Sequence, residues 1–139
     1  MVSTNAGKTW KNVKKGLPKR FITSIVVDPI DSNKAFVTVS GFGSGHIFRT
    51  ITGGDTWEDI SSELPNIPVN TLIADPLSPN VLYAGTDVGV YRSTDDGKSW
   101  HRFNNGLPPV IVTGFSAQSS GAIQLSTFGR GAYELIRKA

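Results

Sequence analysis

The chain has 139 residues, 38% hydrophobic and 18% charged, with 15 glycines and 8 prolines. It is long enough to bury a core and shows no collagen period or low-complexity run, which excludes fibrous and disordered classes. It has no cysteine, so a disulfide framework, a cysteine nucleophile and thiolate metal sites are excluded. The net charge of +3 is local: residues 1–20 carry six basic side chains and no acid, while 8 basic and 11 acidic residues elsewhere leave −3. A nucleic-acid surface would need several such segments with aromatic residues between them, so the basic run reads as a solvated strand edge and no nucleic acid is expected. No run approaches the roughly 18 apolar residues of a membrane helix, and Met1 leads into polar STNAGKTW rather than a secretory leader.

In chain order, TWKNVKK near the start reads as a single strand within residues 1–15. FITSIVVD (21–28), AFVTVS (35–40), HIFRT (46–50) and TWEDI (56–60) follow, each short, rich in β-branched and aromatic residues and bounded by turn signals. VNTLIAD (69–75), VLYAGT (81–86), VYRST (90–94) and SWHRF (99–103) repeat the series, and IVTGFSA, AIQLST and GAYELIR close it. No stretch sustains a 3.6-residue period, so helices should be scarce.

The series is an internal repeat. STNAGKTW (3–10), TITGGDTW (50–57) and STDDGKSW (93–100) align, and all three tryptophans of the protein stand at the eighth position. Leu17-Pro18, Leu64-Pro65 and Leu107-Pro108 each follow the tryptophan by seven residues; Asp28-Pro29 and Asp75-Pro76 recur further on, with Gln118-Ser119 in their place in the third copy. The spacings are 47 and 43 residues, and the difference lies in SGFGSGHIFRT (40–50), four residues longer than DVGVYRS (87–93). Four short antiparallel strands per period describe a β-propeller blade. The expected order is an outer strand D in 1–15, blades over 21–60 and 68–104, and strands A, B and C of a last blade over 110–138. Strand A, the innermost, should be the most apolar strand of each blade, being covered by neighbours on both faces, and ITSIVV and NTLIAD suit that place.

The octapeptide resembles the Asp-box (BNR) repeat of sialidases, sortilin-type receptors, xyloglucanases and photosystem assembly factors. The resemblance covers nearly the whole chain and implies an all-β propeller with a structural Asp-box hairpin between strands C and D. The residues carried over are Ser3, Asn5, Gly7 and Trp10; Thr50, Gly54 and Trp57; and Ser93, Asp95, Gly97 and Trp100. Asn5 and Thr52 replace the aspartate; Asn can still make the turn bond and Thr makes it more weakly, so the second copy fits the pattern least well. Asp95 is read as a turn residue rather than a catalytic acid, and the indoles should wedge between adjacent sheets. The family's members are often exported.

Three blades cannot close a ring, and strand C at the C-terminus would leave an open edge. Two chains meeting head to tail would give six blades, each N-terminal strand D completing its partner's last blade; three chains would give nine, and a longer propeller protein of which this is a piece would also account for the ends. Meander geometry puts the B-to-C hairpins and D-to-A links on one face. Phe42, His46, Asp87, Phe128 and Arg130 are the candidate binding residues there, as a sugar or anion platform for a glycan or protein ligand. His46 has no partner at metal-ligand spacing, Asp87 also suits an Asx turn, and Arg130 also suits a hairpin pin. A glycoside hydrolase sets two carboxyl groups about 5–9 Å apart, and this face offers Asp87, with Glu63 further out. The expectation is therefore a non-catalytic binding or scaffold propeller without metal or cofactor, the alternative being a hydrolase-like enzyme.

Overall fold

The computed structural model describes residues 1–43 and 45–136. Within them lie eleven strands and no helix. The first sheet is β1 (Ile22–Val27), β2 (Ala35–Val39), β3 (Ile47–Thr50) and β4 (Glu58–Asp59), and the second is β5 (Val69–Ala74), β6 (Leu82–Thr86), β7 (Gly89–Ser93) and β8 (His101–Arg102). The third is β9 (Val112–Ala117), β10 (Ile123–Thr127) and β11 (Ala132–Leu135). Every neighbouring pair is antiparallel and consecutive, so the sheets are meanders with strand A innermost. Residues 137 and 138 of the expected last blade lie outside the described residues.

Two strand expectations are corrected. TWKNVKK forms no extended strand; Lys11 makes one antiparallel bridge, with Val2. The most covered strand is B rather than A: β2 and β6 are almost wholly buried, whereas β1 is largely exposed. Strand B lies inside its sheet, and β2 faces a tryptophan on each side. Val37 and Val39 pack towards Leu17 and Trp57, while Phe36 joins the cluster containing Trp100. Strand A is covered on a side only where a sheet stands there, and β1 has the second sheet on one side and none on the other: Ile22, Ile25 and Val27 are exposed, whereas Val69 and Leu72 at the same register in β5 are buried.

The Asp-box hairpins share one hydrogen-bond plan. The hydroxyl of Ser3, Thr50 or Ser93 accepts from the amide of Gly7, Gly54 or Gly97 at 2.8, 2.9 and 2.8 Å. The side chain of Asn5, Thr52 or Asp95 accepts from the amide of Thr9, Thr56 or Ser99 at 2.9, 3.0 and 2.9 Å. Thr52 therefore fills the aspartate's role in the second hairpin, with a bond of nearly the same length. Three bonds from Ser93 and Ser99 hold Asp95 down to about 2, the Ser99 hydroxyl first among them.

The hairpins also join the sheets. The Trp100 indole donates to the Ile60 carbonyl at 2.7 Å, and the Trp57 indole donates to the Val13 carbonyl at 2.6 Å. Ile60 and Val13 each stand three residues after the preceding tryptophan, so the joint repeats with the sequence. A Cβ on Gly97 would meet Ile60 at 2.5 Å, and one on Gly54 would meet Val13 at 2.7 Å; with φ near +90° as well, only glycine fits. Asp96 adds a charged clasp, pairing with Lys34 at 2.8 Å and with Arg49 from the first sheet. Burial opposes the Arg49 charge, but Glu58 and Asp96 outweigh it and raise the guanidinium's pKa. On the inner side Thr23 donates to the Val69 carbonyl at 2.6 Å and Asn70 to the Val112 carbonyl at 3.2 Å. Trp10 alone has no preceding sheet and is 59% exposed, against the expectation that all three indoles are wedged.

Candidate functional site

Strand D ends on a residue that anchors the neighbouring B-to-C hairpin. Ser61 accepts from the His46 and Ile47 amides at 2.6 and 2.9 Å. Asn104, at the same offset from its tryptophan, accepts from the Val90 amide at 3.1 Å. The D-to-A links then grip the longer hairpin at 40–46 from both sides. The Arg20 guanidinium donates to the Phe42 carbonyl at 3.0 Å and also to the Gly45 carbonyl. The Asn66 carboxamide oxygen accepts from the Gly43 amide at 2.7 Å and stands 3.2 Å from His46 Nε2. Gly45 has φ +74°, and a Cβ there would strike Phe48 and Asp59 within 2.7 Å, so the turn admits no side chain.

These bonds leave an apolar tip on each hairpin. Phe42 is 71% exposed, Val88 37% and Phe128 74%. The third hairpin is closed by the Thr127 amide and hydroxyl on the Gly131 carbonyl, at 3.0 and 2.7 Å. Arg130 is exposed on it, and no hydrogen bond ties its side chain among the described residues; the reading of Arg130 as the hairpin's pin is replaced by Thr127. Asp87 accepts from Asn70 Nδ2 at 2.9 Å. That bond reaches strand A rather than its own turn, where the Thr86 hydroxyl accepts from the Val88 amide, so Asp87 is no Asx-turn residue.

His46 is corrected in place. It is 3% exposed and lies beneath the hairpin tip, in a polar cleft of about 380 Å³ with Asp59, Ser61 and Asn66. Burial is the main cause that lowers its pKa, with the Arg20 charge adding to it, against Asn66 and Asp59. Asp59 belongs to this cleft although the sequence suggested only Asp87 and Glu63 as carboxylates of this face. It sits two residues after Trp57 in a strand of two, too short for alternation to show its side. Its carboxylate accepts from the Ser61 amide at 2.9 Å. No group of three metal-ligating side chains occurs among the described residues, and no hydrogen bond or ring contact joins Phe42, Asp87, Phe128 and Arg130 to one another.

Residues 1–107 match the family model Sortilin-Vps10, described as Sortilin, neurotensin receptor 3. The chain belongs to this family. No curated protein matches the sequence. Among solved structures, the Sortilin-Vps10 chain is similar to the GH74 enzyme of Niastella koreensis at 18% identity and TM-score 0.67, covering 81% of this chain and 19% of that one. It is similar to the GH74 xyloglucanase of Xanthomonas campestris at 19% and 0.61, covering 74% and 18%. YCF48 bound to a D1 peptide is a third, at 21% and 0.53, covering 77% and 32%. The likeness shows the propeller fold, and the chain spans a third or less of each of these proteins.

Proposed function

We propose that this chain is a binding or scaffold module whose ligand lies across the B-to-C hairpin face, and whose ring is completed by a second copy. The observation that carries the reading is the repeated apolar tip: Phe42, Val88 and Phe128 project from three hairpins whose backbones are pinned. Exposed aromatic rings on rigid loops present stacking area with little ordering cost on binding. Rings spaced along a face suit the flat surfaces of a β-linked polysaccharide, with Arg130 as a polar contact. The xyloglucanase among the neighbours favours this ligand class, and the peptide-bound neighbour makes a protein segment the second choice.

A non-catalytic role is supported by the carboxylates. Asp87 and Asp59 belong to different sheets, and each is spent on holding its own surroundings. Titration with xyloglucan oligosaccharides and with a peptide panel, followed by calorimetry, tests the proposal. Oligosaccharide binding should weaken about tenfold in Phe42→Ala and again in Phe128→Ala, the worth of one aromatic contact each. Binding unaffected by both substitutions would contradict the face assigned. Release of reducing sugar that disappears in Asp87→Asn would replace the binding reading with a hydrolase.

A further inference from the structure

The repeat predicts a socket for a fourth tryptophan, and the structure contains it empty of any indole of its own chain. Trp100 lies in one buried cluster with Phe36, Ile47, Ile60 and Leu82. The strand registers place Tyr83, Val90, Phe103 and Ile123 at the corresponding points one sheet further on. These four line a largely apolar cleft of about 120 Å³, closed on one side by Tyr133 and Glu134 of β11. Tyr83 and Phe103 form its wall edge to face, with ring centroids 5.6 Å apart. Phe103 stands three residues after Trp100, as Ile60 and Val13 stand after Trp57 and Trp10, so its carbonyl is the next acceptor in the series. The sequence has no tryptophan after Trp100.

The opposite end of the chain holds the complementary part. Trp10 ends a fully formed Asp-box hairpin, is 59% exposed, and its indole nitrogen has no acceptor among the described residues. We infer that Trp10 of a second copy of this chain fills the Tyr83–Phe103 socket and donates to the Phe103 carbonyl. The inference rests on the reading that a second copy completes the ring, and it names the joint.

Charge and register both fit. In each complete sheet the residue before the Asp-box pairs across strands with the residue after the tryptophan: Arg49 with Glu58, and Arg92 with His101. Leu135 pairs with Ile123 as Thr50 pairs with Ala35 and Ser93 with Leu82. Glu134 is therefore the residue that an incoming Lys11 would face, an opposite-charge pair across an antiparallel ladder. Lys11 now exchanges two backbone bonds with Val2, at 2.8 and 2.9 Å. Val2 stands to Lys11 as Arg49 stands to Glu58, so docking puts Glu134 in the place of Val2 and Leu135 in that of Ser3. The interface continues the one already built between the sheets of this chain. Ile22, Ile25 and Val27 of β1, exposed here, would take the covered place that Val69 and Leu72 have in β5. A cleft of about 280 Å³ between the N-terminal hairpin and β1, lined by Val2, Val13, Leu17, Ile22 and Ile25, is where the partner's last sheet would enter. The two joints of the pair are identical under a two-fold axis.

Light scattering of the purified chain from about 1 to 50 µM, where mass action exposes the equilibrium, tests the joint. The wild type should be a dimer. Trp10→Ala should weaken association about 100-fold, as expected of a buried aromatic anchor, while the circular dichroism of the monomer stays unchanged. K11E and E134K should each weaken association, and the double variant K11E/E134K should recover it. A monomeric wild type would overturn both this joint and the two-copy ring. A dimer indifferent to Trp10→Ala and to both charge reversals would overturn this joint and leave the ring standing.

Discussion

Trp100 and Trp10 occupy the same position of the same octapeptide, yet one is 3% and the other 59% exposed. Both hairpins have the same internal bonds, with distances agreeing to within about 0.1 Å at the amides of Gly7 and Gly97 and of Thr9 and Ser99. The Asp-box is therefore a local structure that forms without the neighbouring sheet. What the neighbour supplies is the use of the indole: an acceptor three residues past the preceding tryptophan, and apolar walls from two sheets. The motif sets the turn, and the position in the array decides whether the tryptophan stabilises anything.

The largest expected effect breaks this comparison at its buried end. Trp100→Ala should cost roughly 3–5 kcal/mol in denaturant unfolding, since it empties a core site and strips the Ile60 carbonyl of its donor. Trp10→Ala, in a monomeric sample, should stay within about 0.5 kcal/mol of wild type, as surface changes do. Equal costs at the two positions would mean that the indoles act within their own hairpins. Trp57, half-buried and bonded to Val13, should fall between them.

A smaller effect is expected from Asp96→Ala, which removes the charged clasp between the first two sheets and leaves Lys34 and Arg49 without their shared carboxylate. The loss should be about 1.5–3 kcal/mol, the usual worth of hydrogen bonds to charged groups. The same substitution at Ala6 does not exist to be made, since that hairpin already has alanine there and faces no sheet.

The propeller fold was legible in the sequence because its markers are covalently near one another. An octapeptide ending in tryptophan and a Leu-Pro seven residues later need no tertiary knowledge to align. The short strands B and C were placed within a residue or two at 35–40, 46–50, 81–86 and 90–94. The candidate face was legible only by its loops. Phe42, Phe128 and Arg130 are exposed on it, but His46 is buried beneath it, because Arg20 and Asn66 from two separate links fold the inserted hairpin over the imidazole. That is a meeting of three distant segments, and periodicity carries no information about it. Asp59 was missed for a related reason: two residues of strand give no alternation from which to read a side.

Two pH effects sharpen the picture at the small end. The fold favours neutral His46, its pKa being lowered from 6.5. The unfolded chain binds the proton more readily, so stability should decline as pH falls through 6.5, and His46→Gln should flatten that decline in thermal melts. Asp95 works in the acid range. With its carboxylate held down to about 2 from 3.8, its contribution is present above pH 3.8 and disappears as pH falls towards 2. Asp95→Asn should remove that last part of the acid transition, and an unchanged transition would deny Asp95 its place in the turn.

The central claim is that each tryptophan of the series needs the sheet next to it, and that Trp10 finds its sheet in another copy. Indole emission on dilution tests this most directly. From about 50 µM down to a dilution at which light scattering shows the monomer, the wild type should shift to the red as Trp10 enters water, and Trp10→Phe should show no shift. Emission that is constant across the range in both proteins would contradict the account.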